Sequence, residues 1–203
     1  MILENKMNKN PRRNKAKIVI VMPAYNVEKA LMDTYKDIPK QLRKYIILVD
    51  NKSTDKTLSI ASKLNIKLIK HKKNMGYGGN QKTGYKEALK LKPDVIAMLH
   101  PDNQYSPLFL SDLTKPIIEG KYDFMFGNRI TSRESALKGG MPKFRYYTNR
   151  FFCVLQNILF GVNFSEYFSG FRAYSAKLLM TVPFEKFSND FLFDQHMTIS
   201  ALS

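Results

Sequence analysis

The stretch DVIAMLHPDNQYSP, residues 94–107, decides the fold. Its apolar run, Val95 to Leu99, shows no alternation with polar residues, which is the pattern of a strand buried on both faces. The run stops abruptly on His100, Pro101 and Asp102, of which His100 and Asp102 carry side chains that ligate metals more readily than they fill cores. Four other runs share this design: KIVIVMPAYN from Lys17, YIILVDNKS from Tyr45, IKLIKHKKN from Ile66 and YDFMFGNR from Tyr122. Helix-like segments at 28–41, 54–64, 79–91 and 107–119 lie between them, so strand and helix alternate. Alternation of that kind predicts an α/β fold with a mostly parallel, Rossmann-like sheet and helices on both faces. In such open sheets ligands bind beyond the carboxyl ends of the strands, so the residues that end each run are the candidates for function.

With 203 residues the chain is the size of one domain and long enough to bury a core. It carries 33 Lys and Arg against 17 Asp and Glu, a net +16 that favours anionic partners such as nucleotides, nucleic acids or acidic lipid surfaces. Residues 1–16 are basic and lack apolar periodicity, so they read as a solvated flexible arm ahead of a domain spanning 17–203. That arm has no apolar stretch of the signal-peptide kind. No segment reaches the roughly 18 to 20 uninterrupted apolar residues of a membrane span. Cys153 is the single cysteine, which excludes a disulfide framework and fits a reducing, cytoplasmic setting.

GYGGNQ, residues 76–81, follows a strand and invites a dinucleotide-binding reading, but Gln81 stands where a small residue is required. The NAD reading is therefore set aside. A glycine run after a strand still serves either a tight turn or a close backbone approach to a ligand. In VDNKSTDKT, Asp50 ends a strand and can accept hydrogen bonds from a base N–H or a ribose hydroxyl, while Ser53, Thr54 or Asp55 can cap the next helix. Tyr25 of PAYN can lie flat against a nucleobase or pack on the core.

Taken in order, VMPAYN, LVDNKSTDKT, KNMGYGGNQKTGYKEAL, LHPDNQYSP, FGNR and SGFRAYS resemble the family 2 glycosyltransferases of the GT-A fold, especially the polyprenyl-phosphate sugar transferase branch, dolichol-phosphate mannosyltransferases among them. The resemblance runs from about Lys17 to the end of the chain. It implies an inverting transfer of sugar from a nucleoside diphosphate sugar, a UDP-sugar foremost, to a lipid phosphate or glycan in glycan or cell-envelope polysaccharide synthesis. It also implies Mg2+ or Mn2+ held by an Asp-x-Asp at the end of the fourth strand. Here His100 takes the place of the first Asp and Asp102 that of the second. Asp102 is then the principal ligand, and His100 either ligates Mn2+ or hydrogen bonds the diphosphate, with one negative charge fewer in the site.

The same motifs place Pro23, Ala24, Tyr25, Asp50, Asn51, Gly78, Gln104 and Arg129 against the donor, with Arg172 facing either the diphosphate or an anionic acceptor. Asp194 matches the family's late acidic motif and is the expected general base, with Asp190, four residues earlier on the same expected helical face, as its second. An ionised lipid-phosphate acceptor needs no strong base. The segment 144–162 joins cations to an apolar stripe, Phe151, Val154, Leu155, Ile158 and Val162, that serves either to pack the helix or to lie on an anionic membrane at the inner face. Family members usually continue beyond the late acidic motif, so the chain reads as truncated at its carboxyl end. Two other readings stay open: a catalytically silent nucleotide-binding relative, and a basic nucleic-acid-binding protein, against which the acids at the strand ends and the lack of a recognition motif speak.

Overall fold

The structure, a computed structural model, describes residues 16–127, 142–161, 167 and 169–202. Six strands form one sheet: β1 (Ile18–Ala24), β2 (Ile46–Asp50), β3 (Lys67–Lys70), β4 (Val95–Met98), β5 (Phe124–Phe126) and β6 (Arg172–Ser175), in the order β3-β2-β1-β4-β6-β5. The first four are parallel, as the alternating pattern predicts. β6 is not foreseen in the sequence reading. It inserts antiparallel between β4 and β5, making the sheet mixed.

Strand β1 shows why the central runs lack alternation. Ile20, Met22 and Ala24 face one layer with Leu31, Leu110, Leu113 and Ile117, while Val19 and Val21 face the other with Tyr85, Leu179, Phe193 and Met197. Helices α1 (Leu31–Asp37), α2 (Thr57–Ala61) and α4 (Leu110–Ile118) cover the first face. Helices α3 (Gly76–Leu89), α6 (Ala176–Thr181) and α7 (Phe193–Leu202) cover the second. The edge strands depart from the expectation of double burial. β3 exposes Lys67 and Lys70 at one margin, and all three residues of β5 are only partly buried at the other. Gly84 brings α3 tight onto the sheet, since a Cβ there would sit 2.2 Å from Val21 Cγ1.

Helix α5 (Lys143–Phe160) ends at Gly161, whose φ of 64° is the left-handed cap that glycine adopts cheaply. Its buried side is marked by Cys153. The stripe of Phe151, Val154, Leu155 and Ile158 is exposed instead of packed on the sheet, while Val162 lies outside the described residues.

The residue that sets β6 in place is Arg172, 1% exposed. Its guanidinium donates to the carbonyls of Ser169 (2.5 Å), Asp194 (2.8 Å) and Tyr167 (2.9 Å) and to Thr198 Oγ1 (2.7 Å). Burial disfavours its charge, yet the neighbouring Asp194 carboxylate outweighs that and holds the guanidinium pKa above its ordinary value. Arg172→Met should lower unfolding stability by about 3–5 kcal/mol in urea titrations, because it strands a buried carboxylate and several carbonyls. A loss under about 1 kcal/mol would show that water replaces the guanidinium.

Candidate active site

The exits of β1 and β2 are stitched into one rigid rim. Asn26 adopts a φ of 52° and Lys52 a φ of 65°, turning the chain sharply just past each strand. Asn26 N donates to Ser53 Oγ (2.9 Å), Thr54 N to Asn26 Oδ1 (2.8 Å), Val27 N to Thr57 Oγ1 (2.8 Å) and Glu28 N to Asp55 Oδ2 (3.0 Å). Asp55 also accepts from Thr57 N at 2.9 Å; α2 starts after Lys56 with no side-chain cap, so the residues expected as helix caps lock two loops together instead.

Beyond these exits opens a cleft of about 830 Å3. Pro23, Ala24 and Tyr25 form one wall, His100, Pro101 and Asp102 a second, and Asn189, Asp190 and Phe191 a third. Tyr25 is 51% exposed and offers its ring to the cleft. Asp102 Oδ1 accepts from Gln104 N (3.0 Å), a local turn that aims an otherwise exposed carboxylate. Asn80 lines the cleft with a buried Oδ1 that has no hydrogen-bond partner among the described residues. Asp50 sits just beneath, paired with Ala24 across the sheet and 1% exposed. Its Oδ2 accepts from Ser53 N (3.1 Å), while Oδ1 is buried without a partner among the described residues. Two orphaned acceptors beside one cleft mark a place where a ligand's N–H or O–H groups are wanted.

The amino end of α3 is fastened from both sides. Asn51 Oδ1 accepts from Met75 N (2.8 Å), and Asn51 Nδ2 donates to Asn74 Oδ1 (2.9 Å) and the Gly76 carbonyl (3.2 Å). His71 joins this network through Asn51 Oδ1 (3.2 Å) and Thr83 Oγ1 (2.9 Å). Burial pulls the His71 pKa down more strongly than the Asp50 charge raises it. On the other side Gly78 N donates to Asn189 O (2.7 Å), and Lys82 Nζ reaches the Phe187 carbonyl and Asn189 Oδ1. A Cβ on Gly76 would meet Asn189 O at 2.4 Å, and one on Gly78 would meet Ser188 O at 2.6 Å. The glycine run therefore admits the 188–191 segment to the cleft.

Seven of the residues expected from the sequence converge on the cleft: Pro23, Ala24, Tyr25, Asn51, His100, Asp102 and Asp190. Asp50 underlies it. Gly78, Gln104, Asp194 and Arg172 are not among its lining residues, and Arg129 lies outside the described residues. Gly78 is spent on close packing and Arg172 on carbonyls in the core. Asp190 and Asp194 do not share a helical face, because α7 begins at Phe193 and Asp190 sits before it, its Oδ1 accepting from Leu192 N (2.8 Å). Hydrogen bonds from Ser188 and from the Leu192 amide hold the Asp190 carboxyl below its ordinary pKa. Asp194 is 5% exposed, and both its carboxylate oxygens are taken: Oδ2 by Tyr77 O–H (2.7 Å), Oδ1 by Gln81 Nε2 (3.1 Å).

Tyr77, Gln81, Asn80 and His71 are the site residues that sequence reading passes over. Tyr77, Gln81 and Tyr85 are spaced four apart, so α3 sets them on one face, with Tyr85 O–H donating to Gln81 Oε1 (3.0 Å). That spacing was the available signal.

Residues 19–182 match the model of glycosyl transferase family 2. Protein MJ1222 of Methanocaldococcus jannaschii is 36% identical over 157 residues, which cover 77% of this chain and 60% of that protein. The UDP-N-acetylglucosamine--dolichyl-phosphate N-acetylglucosaminyltransferase of Methanococcus voltae is 27% identical over 179 residues, 80% of this chain and 70% of that one. The solved glucosyl-3-phosphoglycerate synthase of Mycobacterium tuberculosis in complex with phosphoglyceric acid superposes with a TM-score of 0.69 at 18% identity, over 91% of this chain and 64% of that one. The same synthase has been crystallised with Mn2+, UDP and glucosyl-3-phosphoglycerate. The structural likeness is one of fold, the GT-A architecture. Since the family match spans β1 through α6, this chain belongs to glycosyl transferase family 2.

Proposed function

We propose that the chain transfers a sugar from a nucleoside diphosphate sugar, a UDP-sugar foremost, to a lipid-phosphate or glycan acceptor. The observation that carries this reading is the convergence of the β1, β2 and β4 exits on one cleft that joins an exposed tyrosine, a His-Pro-Asp turn and the buried Asn80 Oδ1, with Asp50 Oδ1 behind the lining, neither oxygen having a partner among the described residues. The Tyr25 ring stacks on the base. Asp50 Oδ1 and Asn80 Oδ1 accept from base N–H or ribose hydroxyl groups. Mn2+ and UDP in the Mycobacterium tuberculosis synthase, and the UDP-sugar and dolichyl phosphate in the name of the Methanococcus voltae relative, support the choice of donor and of acceptor class.

The donor set on the second wall fits a divalent cation. Asp102 supplies a hard carboxylate and His100 an imidazole, a combination suited to Mn2+ and, more weakly, to Mg2+, with diphosphate oxygens and water completing the shell. When bound, the cation supplies Lewis-acid neutralisation of the charge that gathers on the departing diphosphate. Asp190 lines the same cleft, on the segment that carries Asn189 and Phe191.

Calorimetric titration with UDP and Mn2+ should show binding that Asp50→Ala weakens by roughly 5- to 150-fold, the loss of one or two buried hydrogen bonds. Equal binding by the variant would remove Asp50 from the nucleotide site. In assays of UDP-sugar turnover, Asp102→Asn should abolish nearly all activity, whereas His100→Asp should preserve or raise it by restoring a second carboxylate. An inactive but folded and donor-binding His100→Asp variant would give the imidazole a role that a carboxylate does not fill.

For the acceptor, α5 offers a surface that suits an anionic membrane. Phe144 is 83% and Ile158 74% exposed, with Lys143 and Arg150 on the same helix. No helix among the described residues is long and apolar enough to cross a membrane. Sedimentation with acidic liposomes at low salt should pull the protein down and neutral liposomes should not. Protein that stays in the supernatant with both, at low and high salt, would point to a soluble acceptor.

A further inference from the structure

The turn that carries Asp102 is pinned at both ends. His100, its first residue, stacks on Tyr77 with centroids 5.3 Å apart, and Gly170 packs so close that a Cβ there would sit 2.7 Å from His100 Cδ2. Pro101 is buried. At the far end Tyr105 is buried as well, its ring stacked on Phe171 at 5.4 Å and its Oη accepting from Gly170 N (3.2 Å). Between these anchors Asp102, Asn103 and Gln104 are exposed. A bulge of three exposed residues leaves its carboxylate free to swing unless the backbone beneath it is fixed.

Asn103 fixes it. Its φ of 60° lies in the left-handed region, which asparagine tolerates better than most residues that carry a Cβ. That reversal brings Gln104 N to 3.0 Å from Asp102 Oδ1, so the aspartate closes a turn on its own backbone. The conformation is backed from outside the turn. Thr34, 1% exposed on α1, donates its hydroxyl to Asn103 Oδ1 at 3.0 Å, across 69 residues of sequence. A threonine inside a helix often returns its hydroxyl to a carbonyl one turn back, whereas this one gives its proton to the turn. α1 is a firm support for it. Leu31 is fully buried in the core, and Arg43 donates to the carbonyls of Lys36 (2.6 Å) and Ile38 (2.7 Å) where the helix ends. Neither Thr34 nor Asn103 lines the cleft itself.

We infer that Thr34 and Asn103 are positioning residues, a clasp between α1 and the turn that holds the Asp102 carboxylate ready for the cation. The inference rests on the reading of Asp102 as the principal ligand for what the carboxylate meets, and on geometry alone for the clasp. With one carboxylate on that wall of the cleft, the hold on a cation depends on how well that one ligand is placed. A turn already locked before binding loses no conformational freedom when the cation arrives.

The test has one readout without metal and one with it. In nitrogen-15-labelled protein free of metal, a strong nuclear Overhauser effect between the amide hydrogen and Hα of Asn103 marks its positive φ, because those two hydrogens lie closest there. The effect should be strong in wild type and in Thr34→Ser, and weaker in Thr34→Val, where the turn samples negative φ. Free Mn2+ is then followed by electron paramagnetic resonance in the presence of UDP. Thr34→Val should bind it about 3- to 10-fold more weakly than wild type, the worth of one hydrogen bond, and Thr34→Ser should match wild type. Asn103→Gly adopts a positive φ without strain but lacks the amide, so it should lose about as much as Thr34→Val, and adding Thr34→Val to it should cost nothing further. Asn103→Ala lacks both the amide and the ease of a positive φ and should lose more. A Thr34→Val protein with the wild-type Overhauser effect or wild-type Mn2+ uptake would overturn the inference. So would a second full loss on combining Thr34→Val with Asn103→Gly, or a loss that Thr34→Ser shares. An Overhauser effect that responds as stated in a protein that takes up no Mn2+ with UDP would instead overturn the donor reading and leave the clasp standing.

Discussion

One full positive charge, the Arg172 guanidinium, sits inside the sheet, and the arrangement around it follows from the need to neutralise and solvate it there. An unpaired buried cation costs several kcal/mol, so the fold surrounds this one with carbonyls from Tyr167, Ser169 and Asp194 and with the Thr198 hydroxyl. Those acceptors come from the segment before β6 and from the first turns of α7. Satisfying the guanidinium therefore docks α7 against β6, which brings Asp194 within reach of α3. Asp194 in turn accepts from Tyr77 and Gln81, so one buried charge sets the relation between β6, α7 and α3, the last of which borders the cleft.

The close approach of α3 is the second requirement, and glycine meets it at three points. Gly84 lies over Val21 of β1, while Gly76 and Gly78 lie under residues 188–193. A methyl group at any of these places would push apart the sheet, the helix and the segment that carries Asp190 and Phe191. Asn51 closes the remaining gap, its side chain accepting from Met75 N and donating to Asn74 and Gly76. Residues at the end of a strand thus serve two purposes at once. Asn51 borders the cleft and holds the helix, whereas Asp50, one residue earlier, keeps an oxygen without a partner among the described residues.

These dual roles explain what the sequence discloses and what it conceals. The four parallel strands and their exits were legible because burial on both faces demands unbroken apolar runs, and because the polar residues that end such runs have nowhere to go but the crevice. β6 was not, since Arg172 and Ser175 break its pattern and an arginine in a central strand looks like a surface residue. Its acceptors lie 22 and 26 residues away in sequence for Asp194 and Thr198, beyond any local rule. The pairing of Asp190 with Asp194 failed for a related reason. A spacing of four implies a shared face only inside a helix, and α7 starts between them. On α3 the same spacing does hold, and Tyr77, Gln81 and Tyr85 do form one polar face, but tyrosines at helical intervals read first as core.

The exchange of a carboxylate for His100 becomes intelligible within this frame. A lone imidazole on a loop rotates and exchanges tautomers, and either motion would degrade a binding site that depends on a fixed ring. Removing a negative charge from the cleft also weakens any cation held there. The stack on Tyr77, the absence of a Cβ at Gly170 and the carboxylate behind the phenol confine the ring. The buried negative charge of Asp194 lies behind the Tyr77 phenol, off the cleft lining, and is answered by Arg172. What the site gives up in charge at position 100 it recovers in part as order, and the same buried cation that builds the sheet supports the ring that faces the ligand.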